Sequence, residues 1–219
     1  VSDVAPGERH DRFPGFDALA QAGHWDPVTA GTVMARLGMP PDIRFFTPEE
    51  EAVGTALCDR LLGEPGEDHA KRVGRGTRVA VLNMIDARLA EKQTDGWRYD
   101  DMPHDGEAWR DTLAALDQDA RDRFGHGFAA CSVAEQETLI QQVQDLGSDR
   151  WHGLCARHVW SLWTRYVCTA FYSHPSAWDE MGFPGPAYPR GYKNTGVDAR
   201  EPFEVRDARP GDDPARSRR

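Results

Sequence analysis

The stretch from Tyr172 to Tyr192 sets the tightest limit on how this chain folds. Pro175, Pro184, Pro186 and Pro189 each fix φ and remove a backbone donor, while Gly182, Gly185 and Gly191 loosen the chain between them. No regular helix or strand is expected to run through such a segment. Yet it carries Tyr172, Trp178, Met181, Phe183, Tyr188 and Tyr192, side chains in which solvated linkers are poor. An irregular aromatic segment stays ordered only by packing, on the chain's own helices or on another protein.

Upstream, apolar residues recur at helical spacing. Trp151, Leu154, Cys155, His158, Val159, Leu162, Tyr166, Val167 and Ala170 make one wide stripe. It predicts a helix from Arg150, capped by Asp149, to about Tyr172, of a width suited to the centre of a bundle. Thr47-Pro48-Glu49-Glu50 and Ser132-Val133-Ala134-Glu135 read as capping boxes, opening helices that run to about Leu62 and Leu146. Further helices are expected over about 77–89, 105–116 and 117–124. A short one near 27–37 has Val28, Val33, Met34 and Leu37 on one face. Residues 63–76 read as a polar loop, and 95–103 as a second aromatic loop closed by Pro103. No stretch alternates convincingly with period two. The expected fold is all-α, a small bundle over 44–192 with a long ordered C-terminal loop. An extended lead-in with a short helix precedes it over 1–43, and a disordered tail follows over 193–219.

Composition narrows the function classes. A net charge of −10 and a pI near 5.2 argue against nucleic acid or an anionic membrane as the main partner. No apolar run approaches the roughly 20 residues of a membrane helix. Val1 to Phe13 is polar and no signal peptide is visible. The default expectation is therefore cytoplasmic, with a processed chain or export alongside a partner as the alternatives. Cys58, Cys131, Cys155 and Cys168 lie far apart without a Cys-x-x-Cys pair, so they read as core thiols.

Few residues offer chemistry. Glu49, Glu50 and Glu51 suit a helix N-terminus better than a carboxylate site. Gly74-Arg75-Gly76-Thr77-Arg78-Val79 lacks the third glycine and the preceding strand of a dinucleotide fingerprint. His152, Cys155 and His158, at i, i+3 and i+6 of the expected long helix, do not converge on one ion and read as core residues. His174 with Asp179 or Glu180 is conceivable as an acid–base pair, against a plainer reading as a histidine bonded to loop backbone. Arg190, between Pro189 and Gly191, suits an anchor for the loop or a partner across an interface. No catalytic, cofactor-binding or metal-binding residue is assigned.

Several motifs carry a family resemblance. They are Phe45-Phe46-Thr47-Pro48-Glu49-Glu50, Asp86-Ala87-Arg88-Leu89 and Gly96-Trp97-Arg98-Tyr99. The most specific are Trp178-Asp179-Glu180-Met181-Gly182-Phe183 and Gly185-Pro186-Ala187-Tyr188-Pro189-Arg190-Gly191-Tyr192. Over about Arg44 to Tyr192 the chain resembles the gluconate 2-dehydrogenase subunit 3 family. The resemblance implies a helical accessory subunit that carries no flavin and stabilises a large FAD-containing glucose–methanol–choline-type dehydrogenase, often with a cytochrome as electron acceptor. With no twin-arginine motif before an apolar segment, the chain resembles the family's signal-less members. Read with the aromatic loops, it points to a partner interface of Trp97, Tyr99, Tyr172, His174, Trp178, Phe183, Tyr188, Arg190 and Tyr192. Two alternatives stay open. His174 with Asp179 or Glu180 contributes to a shared active site, or the chain is a self-contained structural homo-oligomer.

Overall fold

The computed structural model describes residues 13, 16–63, 79–194, 196 and 199–205. Among these are seven α-helices and a single two-stranded sheet, so the fold is predominantly all-α. The chain divides into two compact units, one of residues 40–170 and one that joins residues 1–39 to 171–219. The smaller unit thus draws on the expected lead-in, the C-terminal loop and the start of the expected tail.

In the larger unit, helix α2 (Pro48–Leu61) opens on the Thr47 capping box, with Pro48 at its first position. It packs against α3 (Val81–Ala90), α4 (Asp105–Phe124) and α5 (Val133–Asp145). Ser132 and Glu135 close the second capping box at the start of α5, and Gly125 at φ +81° ends α4. The interior is aromatic and aliphatic, with Leu57, Ile85, Trp109, Leu113, Phe128, Trp163 and Tyr166 all but fully buried. Asp86 is buried too. Its carboxylate accepts the backbone N–H groups of Arg44, Phe45 and Phe46 at 2.7, 2.8 and 2.9 Å. The Phe45-Phe46 and Asp86 motifs are therefore two halves of one joint, which fixes the entry to α2.

Two boundaries differ from expectation. Helix α4 runs unbroken over Asp105–Phe124, because Asp117 bridges Arg121 one turn on and also accepts the Phe128 N–H. The long helix α6 begins only at Ala156 and ends at Ser173. Before it, β1 (Arg150–Trp151) and β2 (Leu154–Cys155) form a hairpin whose turn places His152 at φ +46° and Gly153 at φ +83°. Two positive φ values are what a two-residue hairpin turn demands. Trp151 and Cys155 both point inward, a spacing that strand–turn–strand and helix satisfy equally. Residues 64–78, and with them most of the expected polar loop, lie outside the described residues.

In the smaller unit, a 3-10 helix (Ala18–His24) and α1 (Pro27–Ala35) lie N-terminal. A 3-10 turn (Pro175–Ala177) and the single-turn helix α7 (Trp178–Met181) interrupt the C-terminal loop. Ala18, Trp25, Val33 and Trp178 form the core, with Phe16, Leu19 and Met181 packed against it. Asp179 accepts the Ala18 N–H at 2.8 Å, and Arg190 donates to Gln21 at 2.8 Å. Of the expected apolar face of α1, only Val33 is buried, while Val28, Met34 and Leu37 are exposed. Residues 199–205 also belong to this ordered structure, contrary to the expected tail. Buried Glu201 accepts the backbone N–H groups of Lys193 and Asn194, and Phe203 lies under the Arg190 guanidinium, 3.4 Å from ring centroid to Cζ.

Candidate functional site

The nine residues expected at a partner interface fall into two groups, one on each unit. In the larger unit, Trp97 and Tyr99 stand on the loop before α4. Trp97 is 51% exposed, and its ring meets that of Tyr99 edge-to-face at 5.4 Å. Both are held from behind. The Arg165 guanidinium lies 4.6 Å from the Trp97 ring centre, and Tyr99 stacks on His158 at 3.7 Å and 3°.

Arg165 is itself fixed by Asp95 at 2.7 Å, which also binds Arg88 at 2.6 Å. Arg98 donates to the Met102 carbonyl, and the Met102 N–H returns to Tyr99. Under the loop, Tyr166 donates to buried Asp105 at 2.6 Å. Burial, and then that bond, push the phenol well above its ordinary range. The result is an exposed aromatic pair whose orientation is already set. A groove of about 550 Å³ elsewhere on this unit is lined by Phe45, Leu89, Gly106 and Arg110 among others. Sequence reasoning found the two aromatics but missed Asp95 and Arg165. An Asp and an Arg 70 residues apart give no local signal of pairing.

In the smaller unit, Tyr188 is 64% and Tyr192 50% exposed, and Tyr172 and Phe183 are partly so. Tyr192 meets Phe203 at 6.2 Å. Trp178 differs from these. At 3% exposure, with Nε1 donating to the Tyr172 carbonyl at 3.0 Å and Phe183 edge-to-face at 5.2 Å, it is core. A partner cannot reach its ring while this unit stays closed. Arg190 is partly buried. One nitrogen binds Gln21, while Nε and Nη2 are buried without a hydrogen-bond partner among the described residues.

His174 and Asp179 have separate duties. The His174 Nδ1 accepts the Ser176 N–H at 3.2 Å, capping the 3-10 turn, and Asp179 is engaged with Ala18. The Glu180 side chain lies outside the described residues. His174 is held below its ordinary pKa, first by burial, with the Arg36 charge adding to it and a bond to the Arg36 backbone opposing. A neutral ring used as a backbone acceptor fits a structural part better than an acid–base one. Of His152, Cys155 and His158, the first is drawn away from the other two, lying 2.6 Å from Asp119, while His158 lies 2.7 Å from Asp101.

A family model described as gluconate 2-dehydrogenase subunit 3 matches residues 48–185, well over half the chain. The chain belongs to that family. Its membership makes this a dehydrogenase-complex subunit, and the match takes in α2 through α7, the Trp97–Tyr99 loop and Gly185. No curated protein and no solved structure matches it. No helix among the described residues is long and apolar enough to cross a membrane.

Proposed function

We propose that this subunit is a non-catalytic partner that binds and stabilises a large FAD-dependent dehydrogenase of the glucose–methanol–choline type. The flavin is carried by that partner, and a sugar or alcohol is oxidised there. The reading rests on family membership together with one observation, the Trp97–Tyr99 pair clamped in place by Arg165 and His158. Exposed rings already fixed in one orientation lose little further freedom when a partner covers them, so more of their burial appears as affinity. Tyr188 and Tyr192 supply a second exposed aromatic surface on the other unit. A shared active site built on His174 finds less support, because its Nδ1 is committed to the Ser176 backbone.

The test is a pull-down of the tagged chain from its host, with an absorption spectrum of the eluate. Co-purification of a larger protein with flavin bands supports the proposal. A lone colourless chain, or turnover by the purified chain without a partner, overturns it. Cytochrome bands in the same eluate would identify the electron acceptor.

A further inference from the structure

At the base of the aromatic loop, three side chains from two distant segments converge. A carboxylate oxygen of Asp101, Cys155 Sγ and a ring nitrogen of His158 all lie within 4.8 Å of one another. Cys155 ends β2 and His158 sits in the first turn of α6, three residues on, so the thiol and the imidazole share a face. The loop after Tyr99 brings Asp101 over them, with Oδ1 2.7 Å from His158 Nδ1. The Tyr99 ring, stacked flat on His158, fixes the plane of the imidazole. Cys155 is buried, His158 half-buried and Asp101 exposed. The cluster is therefore closed on the protein side and open to solvent on the other.

We propose that Asp101, Cys155 and His158 form a binding site for a borderline divalent transition ion, with Zn²⁺ as the natural occupant. Thiolate, imidazole and carboxylate together make the donor set such ions take, and the open side leaves a fourth position for water. A tetrahedral ion with bonds of about 2.0–2.3 Å holds its ligand atoms about 3.5 Å apart, a spacing that small side-chain rotations reach from this cluster. Charge favours it as well. Binding releases the Cys155 proton to solvent and takes His158 as the neutral ring. A thiolate and a carboxylate then balance the ion, so no net charge is left at the buried end.

A second cluster, His126, Cys131 and Glu135, has comparable spacing but is already spent. There Glu135 Oε2 accepts both the N–H and the hydroxyl of Ser132 at 2.8 Å, and recruiting it would undo the start of α5. That cluster serves as the internal control. An ion at Asp101 would tie the loop carrying Trp97 and Tyr99 directly to α6. Ion binding at this cluster needs no partner protein.

The test uses the purified full chain, stripped with a chelator under reducing conditions and titrated with Zn²⁺ by calorimetry. A parallel titration uses Co²⁺, whose bond to a thiolate gives a near-ultraviolet charge-transfer band. One ion per chain is expected, with that band present. Asp101→Asn should weaken binding roughly tenfold or more, and Cys155→Ser and His158→Ala should abolish the band. Cys131→Ser should change nothing. Asp101 is at the surface, so its variant stays folded even if a core substitution does not, and far-ultraviolet dichroism checks each one. Absence of saturable binding by the wild-type chain overturns the proposal. So does binding that survives Asp101→Asn and Cys155→Ser but fails in Cys131→Ser.

Discussion

Two residues show how far a single side chain can be read. Asp86 lies within a motif of the family resemblance, yet its part is visible only in three dimensions. It is buried and holds three consecutive backbone N–H groups from a segment some 40 residues away. Asp86→Ala would strip all three donors of their acceptor, with the Phe46 N–H left buried, a loss of about 3 kcal/mol. Asp86→Asn, which keeps an acceptor oxygen, should fall between it and the wild type. Urea unfolding compares the three, and equal midpoints would refute this account of the joint. For His174 the sign follows from its lowered pKa. Below the unperturbed value of 6.5 the unfolded chain takes up a proton that the folded one resists. Stability is therefore fully present above that pH and declines as the pH falls below it toward the lower folded value. His174→Gln should flatten this part of the profile when melting is followed between about pH 7 and pH 5. An unchanged slope would mean that the ring is not appreciably buried in the folded chain.

At the scale of elements, local chemistry was legible wherever the signal was local. Both capping boxes, Pro48 at its N1 position and the stop at Gly125 are short-range devices; the two capped helices form as expected, and the stop falls where expected although the helix before it is one and not two. What escaped was the choice between patterns that share a spacing. Trp151 and Cys155 fit a helix face as well as a hairpin, and only the positive φ of His152 and Gly153 separates the two. The C-terminal loop shows the same limit. Its need to pack was readable, but its partners, Trp25 and Ala18, lie some 150 residues earlier. Gly185 marks how close that packing is. It sits at φ +77°, and an added Cβ would come within 2.5 Å of the Trp25 ring and 3.1 Å of Trp178. Gly185→Ala therefore combines backbone strain with overpacking against two rigid rings, at a cost of about 2–4 kcal/mol to the smaller unit. Faster hydrogen exchange at residues 18–35 and 175–185 is the expected signature. Wild-type exchange there would show that the loop does not rest on this core.

For the whole molecule, the question is what its exposed aromatics do. Trp97, Tyr188 and Tyr192 are ordered, yet their burial is left incomplete by the chain's own core. The aromatic residues could be picked out in the sequence, but not their division between two units, nor the inward turn of Trp178. Those follow from long-range packing that no local pattern encodes. If the exposed rings meet a flavoprotein, this subunit should stabilise it by mass action. At a hundredfold excess over the dissociation constant the gain is about 2.7 kcal/mol. Removing one anchoring ring should move the concentration needed for that gain by roughly tenfold or more. Trp97→Ala and Tyr188→Ala are the substitutions to compare, since neither ring is part of a core, with melting of the partner followed through its flavin fluorescence. Trp178→Ala is the contrast. It should lower the stability of this subunit itself, by about 3 kcal/mol or more, whether or not a partner is present. Were Trp97→Ala and Tyr188→Ala both to leave the flavoprotein's melting curve unmoved, the partner would have to engage this subunit through some other surface. The groove of about 550 Å³ beside Phe45 and Arg110 would then be the next place to probe.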